Sequence, residues 1–166
     1  MPIGFWNDKN KINYIDSNFS QFNNIWSQGD YAQITKNNGV IIYGRSDATL
    51  NPGGIRIGTA EIYRVVEEFE AVEESIAVAQ NWDNDVRIIL FVKLNSNQII
   101  SQSLKSDITA SIKNKLSRRH APAHIVQIND IPKTRSGKIA ELTIRDIING
   151  VPVKNIDALA NPECLK

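Results

Sequence analysis

A chain of 166 residues, 42% of them hydrophobic, can bury a core, and its length fits one ordinary domain or one domain with a piece of another. With 19 basic against 18 acidic side chains the net charge is +1, which excludes a global pull toward nucleic acid or an anionic membrane and makes any phosphate recognition local. The single cysteine, Cys164, can form no internal disulfide, and no stretch reaches the roughly 18 apolar residues of a membrane span, so a cytoplasmic protein is expected.

Residues 1–39 are polar and carry Trp6, Phe19, Phe22 and Trp26 at no single period. Too few aliphatic residues accompany these aromatics to give them a partner, so this part reads as the torn edge of a larger domain. Tyr31–Thr35 and Val40–Tyr43 are β-prone, and the Asn38-Gly39 pair between them predicts a hairpin. Gly44–Glu61, GRSDATLNPGGIRIGTAE, holds four of the nine glycines. Pro52-Gly53-Gly54 predicts a sharp turn, and Thr59 with Glu61 a helix start. By itself this stretch is either a Gly-rich hairpin before a helix or a loop that lets backbone approach a ligand.

Ile62, Val65, Val66 and Phe69 then follow a helical period, with Glu67, Glu68, Glu70, Glu73 and Glu74 read as its solvated side. Ser75–Gln80 and Val86–Leu94 are strands around a turn at 81–85, the second so apolar that helices should cover both its faces. Leu104, Ile108, Ile112 and Leu116 predict a helix ending before Pro122, Ala123–Ile128 a third strand, and Ile139–Ile148 a helix closed by Gly150. The order αββαβα indicates an α+β domain.

The loop Ile131–Glu141, IPKTRSGKIAE, is the second informative stretch. Lys138 falls where the last helix is expected to begin, an unfavourable place for a cation, and Lys133, Arg135 and Ser136-Gly137 add donors suited to phosphate or carboxylate oxygens. Pro132 and Ile139 break the P-loop pattern at both ends. Pro122 separates His120 from His124, so no helical metal pair forms, and no metal site is expected. Neither histidine has an evident orienting partner. Lys113, Lys115, Arg118 and Arg119 form a basic run, open to a nucleotide phosphate or simply solvated.

Gly29-Asp30, the Gly44–Asp47 GRSD, the Gly54–Gly58 segment and Pro132–Lys138 PKTRSGK, in this order, resemble the C-terminal part of the adenylate-forming acyl-CoA synthetases. PIGFWND, GRSDATLNPGGIRIGTAEIYRVVE and ALANPE narrow the likeness to ligases of short-chain acids. The resemblance implies a three-stranded sheet flanked by helices plus a two-stranded hairpin. It also implies a division into 1–46, the end of a large adenylate-binding domain, 47–150, a mobile domain, and 151–166, a tail. Lys138 would be catalytic in adenylation. Asp30, Arg45 and Arg56 would bind nucleotide, Asp47 would be the hinge, and Gly53, Gly54, Gly58 and Lys113 would meet coenzyme A. Ala48 departs from the second acidic residue many relatives have after the hinge. ATP, coenzyme A and magnesium would be needed, the metal held mainly by the absent N-terminal domain, and a separately encoded N-terminal part is the expected partner. The alternative is a non-catalytic module that binds nucleotide or coenzyme A.

Overall fold

The computed structural model describes residues 2–95, 98–153 and 156–165. Its first part holds a helix, α1 (Ile12–Phe19), and a hairpin of β1 (Asp30–Ile34) and β2 (Val40–Arg45). The helix was not expected, because its packing is aromatic rather than periodic. Tyr14, 7% exposed, gathers Phe5, Phe19 and Trp26 at ring-centroid distances of 5.5, 5.8 and 6.0 Å. These rings therefore partner one another, while Trp6 and Phe22 stay exposed. The hairpin closes as its Asn-Gly pair requires, with Asn38 left-handed at φ 60° and the Thr35 N–H donating to the Gly39 carbonyl at 2.8 Å.

The remaining elements are α2 (Thr59–Val66), β3 (Val72–Trp82), β4 (Asp85–Leu94), α3 (Gln102–Lys115), β5 (His124–Gln127) and α4 (Glu141–Ile148). The sheet order is β3-β4-β5, antiparallel in the first pair and parallel in the second. Strand β4 is central, which is why its middle, Ile88–Val92, reads as an unbroken apolar run. On one face Leu90, Val92 and Ile88 meet Ile62 and Val66 of α2 and Ile108 and Ile112 of α3. On the other, Ile76, Val78 and Ile89 meet Ile144 of α4 and Ile131 of the loop after β5. Each fully buried isoleucine contributes about 1.5–3 kcal/mol, so the two layers account for most of the hold on the sheet.

Two expectations are corrected. The β3–β4 turn is only Asp83-Asn84, both left-handed at φ 50° and 58°, so the strands run on through Trp82 and Asp85. Glu73 and Glu74 belong to β3, not to a helix's wet side: Lys93 lies 2.9 Å from Glu73 and 3.3 Å from Asp130, and Lys133 lies 2.6 Å from Glu74. Helix α2 does begin at Thr59 with Glu61 in its first turn, with Gly58 at the N-cap and Thr59 buried at 5%. Gly150 does close α4, left-handed at φ 68° with its N–H on the Ile147 carbonyl at 3.0 Å. No helix among the described residues is long and apolar enough to cross a membrane.

Candidate functional site

The end of β2 collects Asp30, Arg45 and Asp47. Gly29, left-handed at φ 82°, leaves the space: a Cβ there would stand 2.8 Å from Arg45 Nη2. Arg45 grips both Asp47 carboxylate oxygens at 3.2 Å, donates to the Gln28 carbonyl at 2.6 Å and lies 3.8 Å from Asp30. The Asp47 hydrogen bond, opposed by burial, holds the Arg45 guanidinium above its ordinary pKa. From the other side Arg145 of α4 donates to the Asp47 carbonyl at 2.9 Å. Nothing in the sequence pointed to Arg145, because its partner lies 98 residues away. The bend after Asp47 opens on a cavity of about 190 Å³ lined by Ala48, Ala77, Val86, Glu141 and Arg145.

The Gly-rich stretch is the bent hairpin expected, with Leu50 and Ile57 exchanging backbone bonds of 3.0 and 2.8 Å. Gly53 and Gly54 are exposed and left-handed at φ 58° and 75°, and the Gly53 N–H donates to Asp85 at 2.9 Å. A Cβ on Gly54 would meet nothing within 4 Å. Gly58 differs. It is buried, and a Cβ there would fall 2.5 Å from the Tyr43 carbonyl oxygen, so in this arrangement its bare backbone serves contact between α2 and the hairpin. Arg56 is exposed and lines a groove of about 430 Å³ with Tyr31, Tyr43 and Glu61.

Lys138 does not stand at a helix start. Ile139 pairs with Lys133, which keeps the backbone extended, and α4 begins only at Glu141 with Ala140 as its N-cap. The intervening loop is a tight hairpin end: the Thr134 N–H donates to the Lys138 carbonyl at 2.8 Å, the Gly137 N–H to the Thr134 carbonyl at 2.8 Å, and Gly137 is left-handed at φ 80°. The Lys138 side chain is exposed, and among the described residues no ion pair or hydrogen bond ties it to the Asp30–Arg45–Asp47 group. The expected dipole cost thus vanishes, and the exposed amine on a constrained turn remains.

The basic run divides. Lys115 pairs with Glu68, whereas Lys113 is exposed beside a groove of about 520 Å³ shared with Lys105, Thr109, Pro122 and His124. Against expectation, His120 is held on both ring nitrogens, by Glu61 at 2.9 Å and Ser117 at 2.8 Å, which clasps α2 to the turn after α3. A second link missed in the sequence joins α2 to α4: the Tyr63 hydroxyl donates to Glu141 at 2.5 Å and accepts from the Ala77 N–H at 3.2 Å. Burial, with the Glu141 charge beside it, pushes the Tyr63 hydroxyl well above its ordinary pKa, and burial raises the Glu141 carboxyl. Among the described residues no three His, Cys, Asp or Glu side chains stand together as metal ligands.

Residues 61–138 match the AMP-binding enzyme C-terminal domain. Over 99% of its length the chain is 50% identical to acetoacetyl-coenzyme A synthetase of Rhizobium meliloti (strain 1021) and 45% identical to acetoacetyl-CoA synthetase of Danio rerio, covering 25% of each. It superimposes on acetoacetyl-CoA synthetase from Streptomyces lividans with a TM-score of 0.91 at 33% identity, over 99% of this chain and 25% of that one. A benzoate CoA ligase from Burkholderia xenovorans LB400 follows with a TM-score of 0.70 at 26% identity, over 86% and 27%. The chain thus spans about a quarter of the length of the relatives it matches.

Proposed function

Residues 61–138 belong to the AMP-binding enzyme C-terminal domain family, and on that premise we propose that the chain is the mobile C-terminal part of an AMP-forming acid:CoA ligase whose acid is acetoacetate. The observation that carries this reading is the 50% identity to the Rhizobium meliloti synthetase over 99% of the chain, aligned with that protein's C-terminal quarter. A related short-chain acid such as acetate is the finer alternative, since the acid pocket would lie in the other three quarters.

In the first half-reaction a carboxylate oxygen attacks the α-phosphorus of ATP, and the bond to pyrophosphate breaks. Two anions approach one another, so a cation between them is worth most in the transition state. Lys138 supplies it from its tight, exposed loop. Asp30, steadied by Arg45, accepts hydrogen bonds from the ribose hydroxyls. In the second half-reaction the sulfur of coenzyme A attacks the acyl carbonyl, its thiol proton passes to solvent, and AMP leaves. Residues 47–150 turn about Asp47 between the steps, against residues 1–46, and 151–166 travel with them as a tail. Gly53, Gly54 and Gly58 then border the path of the pantetheine arm, while Arg56 and Lys113 meet phosphates. Magnesium would be held mainly by the N-terminal part and the phosphates of ATP, whose charge it would neutralise.

The hinge geometry supports such a turn energetically. Arg45 and Asp47 have side chains 52% and 44% exposed, and an exposed pair of this kind is worth about 0–1 kcal/mol, so releasing it costs little.

A chimera tests the reading. Replacing the corresponding C-terminal quarter of the Rhizobium meliloti enzyme with this chain should preserve acetoacetate-dependent formation of AMP, pyrophosphate and acetoacetyl-CoA. Binding of coenzyme A or nucleotide without turnover would favour the non-catalytic module instead.

A further inference from the structure

The tail after α4 is not a loose end. Leu159, 6% exposed, pairs with Thr134, the Ala160 N–H donates to the Lys133 carbonyl at 2.8 Å, and the Arg135 N–H donates to the Ala158 carbonyl at 3.2 Å. Residues 158–160 thus form an antiparallel bridge, centred on Leu159, along the outer edge of the Lys133–Ile139 turn that carries Lys138. Asn161 then locks the register with one side chain. Its carbonyl oxygen accepts from the Lys133 N–H at 2.8 Å, and its amide nitrogen donates to the Ile131 carbonyl at 2.9 Å and to Asp130 at 2.6 Å. Below it, Asp130 reaches Lys93 and Lys133 reaches Glu74, so the base of the hairpin is fastened to β3 and β4.

We propose that Asn161 and the bridging segment 158–160 are a strap that positions the Lys138 loop, which makes Asn161 a positioning residue for adenylation. The role of Lys138 rests on the function proposed above; the strap rests on the contacts just given. Only an amide fits the position of Asn161, because it must accept from one backbone group while donating to another. An isolated hairpin this short is marginal in water, so the bridge from the tail is what would keep its tip in one conformation. A loop free to sample several conformations spends only part of its time with the amine in reach of the reacting atoms, and rate falls by that fraction.

The experiment has two arms. In the 166-residue chain, amide hydrogen exchange is compared for the unaltered protein, Asn161→Ala and Asn161→Asp. The Thr134, Gly137 and Lys138 amides should exchange about tenfold faster in Asn161→Ala, and faster still in Asn161→Asp, which loses both donations and sets a carboxylate beside Asp130. Amides in the centre of β3 and β4 should change less than about twofold, which separates loss of the strap from general unfolding. Ala160→Pro, which deletes the Ala160 N–H by a different route, should reproduce the effect. Unchanged loop exchange in these variants overturns the strap.

In the Rhizobium meliloti chimera, Asn161→Ala should lower the adenylation kcat about tenfold, with the KM for ATP and the conversion of supplied acyl-adenylate to thioester unaltered. Equal slowing of both half-reactions would overturn the positioning role. A Lys138→Ala control that leaves adenylation intact would instead refute the proposed function, with the exchange arm still deciding the strap.

Discussion

Replacing Tyr63 with phenylalanine should destabilise the domain, and by an amount that depends on pH. The hydroxyl joins three elements at once, donating to Glu141 at the start of α4 at 2.5 Å and accepting from the Ala77 N–H of β3 at 3.2 Å. A hydrogen bond to a charged group contributes about 1.5–3 kcal/mol, and one between neutral groups about 0.5–1.5 kcal/mol. Which of these applies depends on Glu141. Burial raises its carboxyl above the ordinary value of 4.5, although the Tyr63 and Thr59 hydroxyls pull the other way. A carboxyl with a raised folded pKa contributes stability that is fully present below its unfolded pKa and is lost as pH rises through the folded value. Removing the Tyr63 donor raises that carboxyl further and deepens the loss. Tyr63→Phe should therefore cost about 2 kcal/mol at pH 7, where the partner is a carboxylate, and about 1 kcal/mol near pH 4, where it is protonated. Urea unfolding of both proteins at the two pH values measures the difference. The same cost at both pH values, or a cost below about 0.5 kcal/mol at pH 7, would refute the reasoning.

Gly58→Ala should lower thermal stability sharply, since its Cβ would sit 2.5 Å from the Tyr43 carbonyl oxygen, while Gly54→Ala, left-handed but in open space, should cost only about 1 kcal/mol of backbone strain, read by differential scanning calorimetry. Ile112→Ala, at a position with 0% exposure between α3 and the sheet, should cost about 2–5 kcal/mol in urea unfolding. Amides of the β1–β2 hairpin should exchange with solvent well before those of β4, because the hairpin lies outside both buried clusters whereas β4 is covered on both faces. Equal protection of the two would mean that the boundary near Asp47 is misplaced.

The sequence was a good guide wherever a local rule decides the backbone. Asn38-Gly39 marked the first hairpin, Pro52-Gly53-Gly54 the bend, Gly150 the end of α4, and the apolar run of β4 announced a strand covered on both sides. It failed where contacts between distant residues decide. Helix α1 is organised by Tyr14 touching rings from three places, which leaves no periodic stripe to read. The start of α4 was placed too early because Ile139, apolar and helix-compatible, is claimed by pairing with Lys133. Glu73 and Glu74 looked like the continuation of an acidic helix face, and only the positions of Lys93 and Lys133 reveal their use in the sheet. Among the site residues, Asp30, Arg45 and Asp47 stand together at the end of β2. The longer-range supports could not be anticipated: Arg145 on the Asp47 carbonyl, Glu61 on His120, and the tail beneath the Lys138 loop join residues 98, 59 and 28 positions apart.

On the function proposed above, Lys138 acts in adenylation and not in thioester formation. Losing a preorganised cation from the adenylation transition state costs on the order of 3–4 kcal/mol, roughly two to three decades in rate. In the proposed second half-reaction the same residue would have nothing to stabilise. Stopped-flow measurement of the two steps in the chimera carrying Lys138→Ala should show adenylation slowed by about that factor and thioester formation from supplied acyl-adenylate and coenzyme A near its normal rate, with Arg56→Ala failing to copy the pattern. A Lys138→Ala protein slowed equally in both steps would contradict the account and leave the lysine a general support for folding or anion binding.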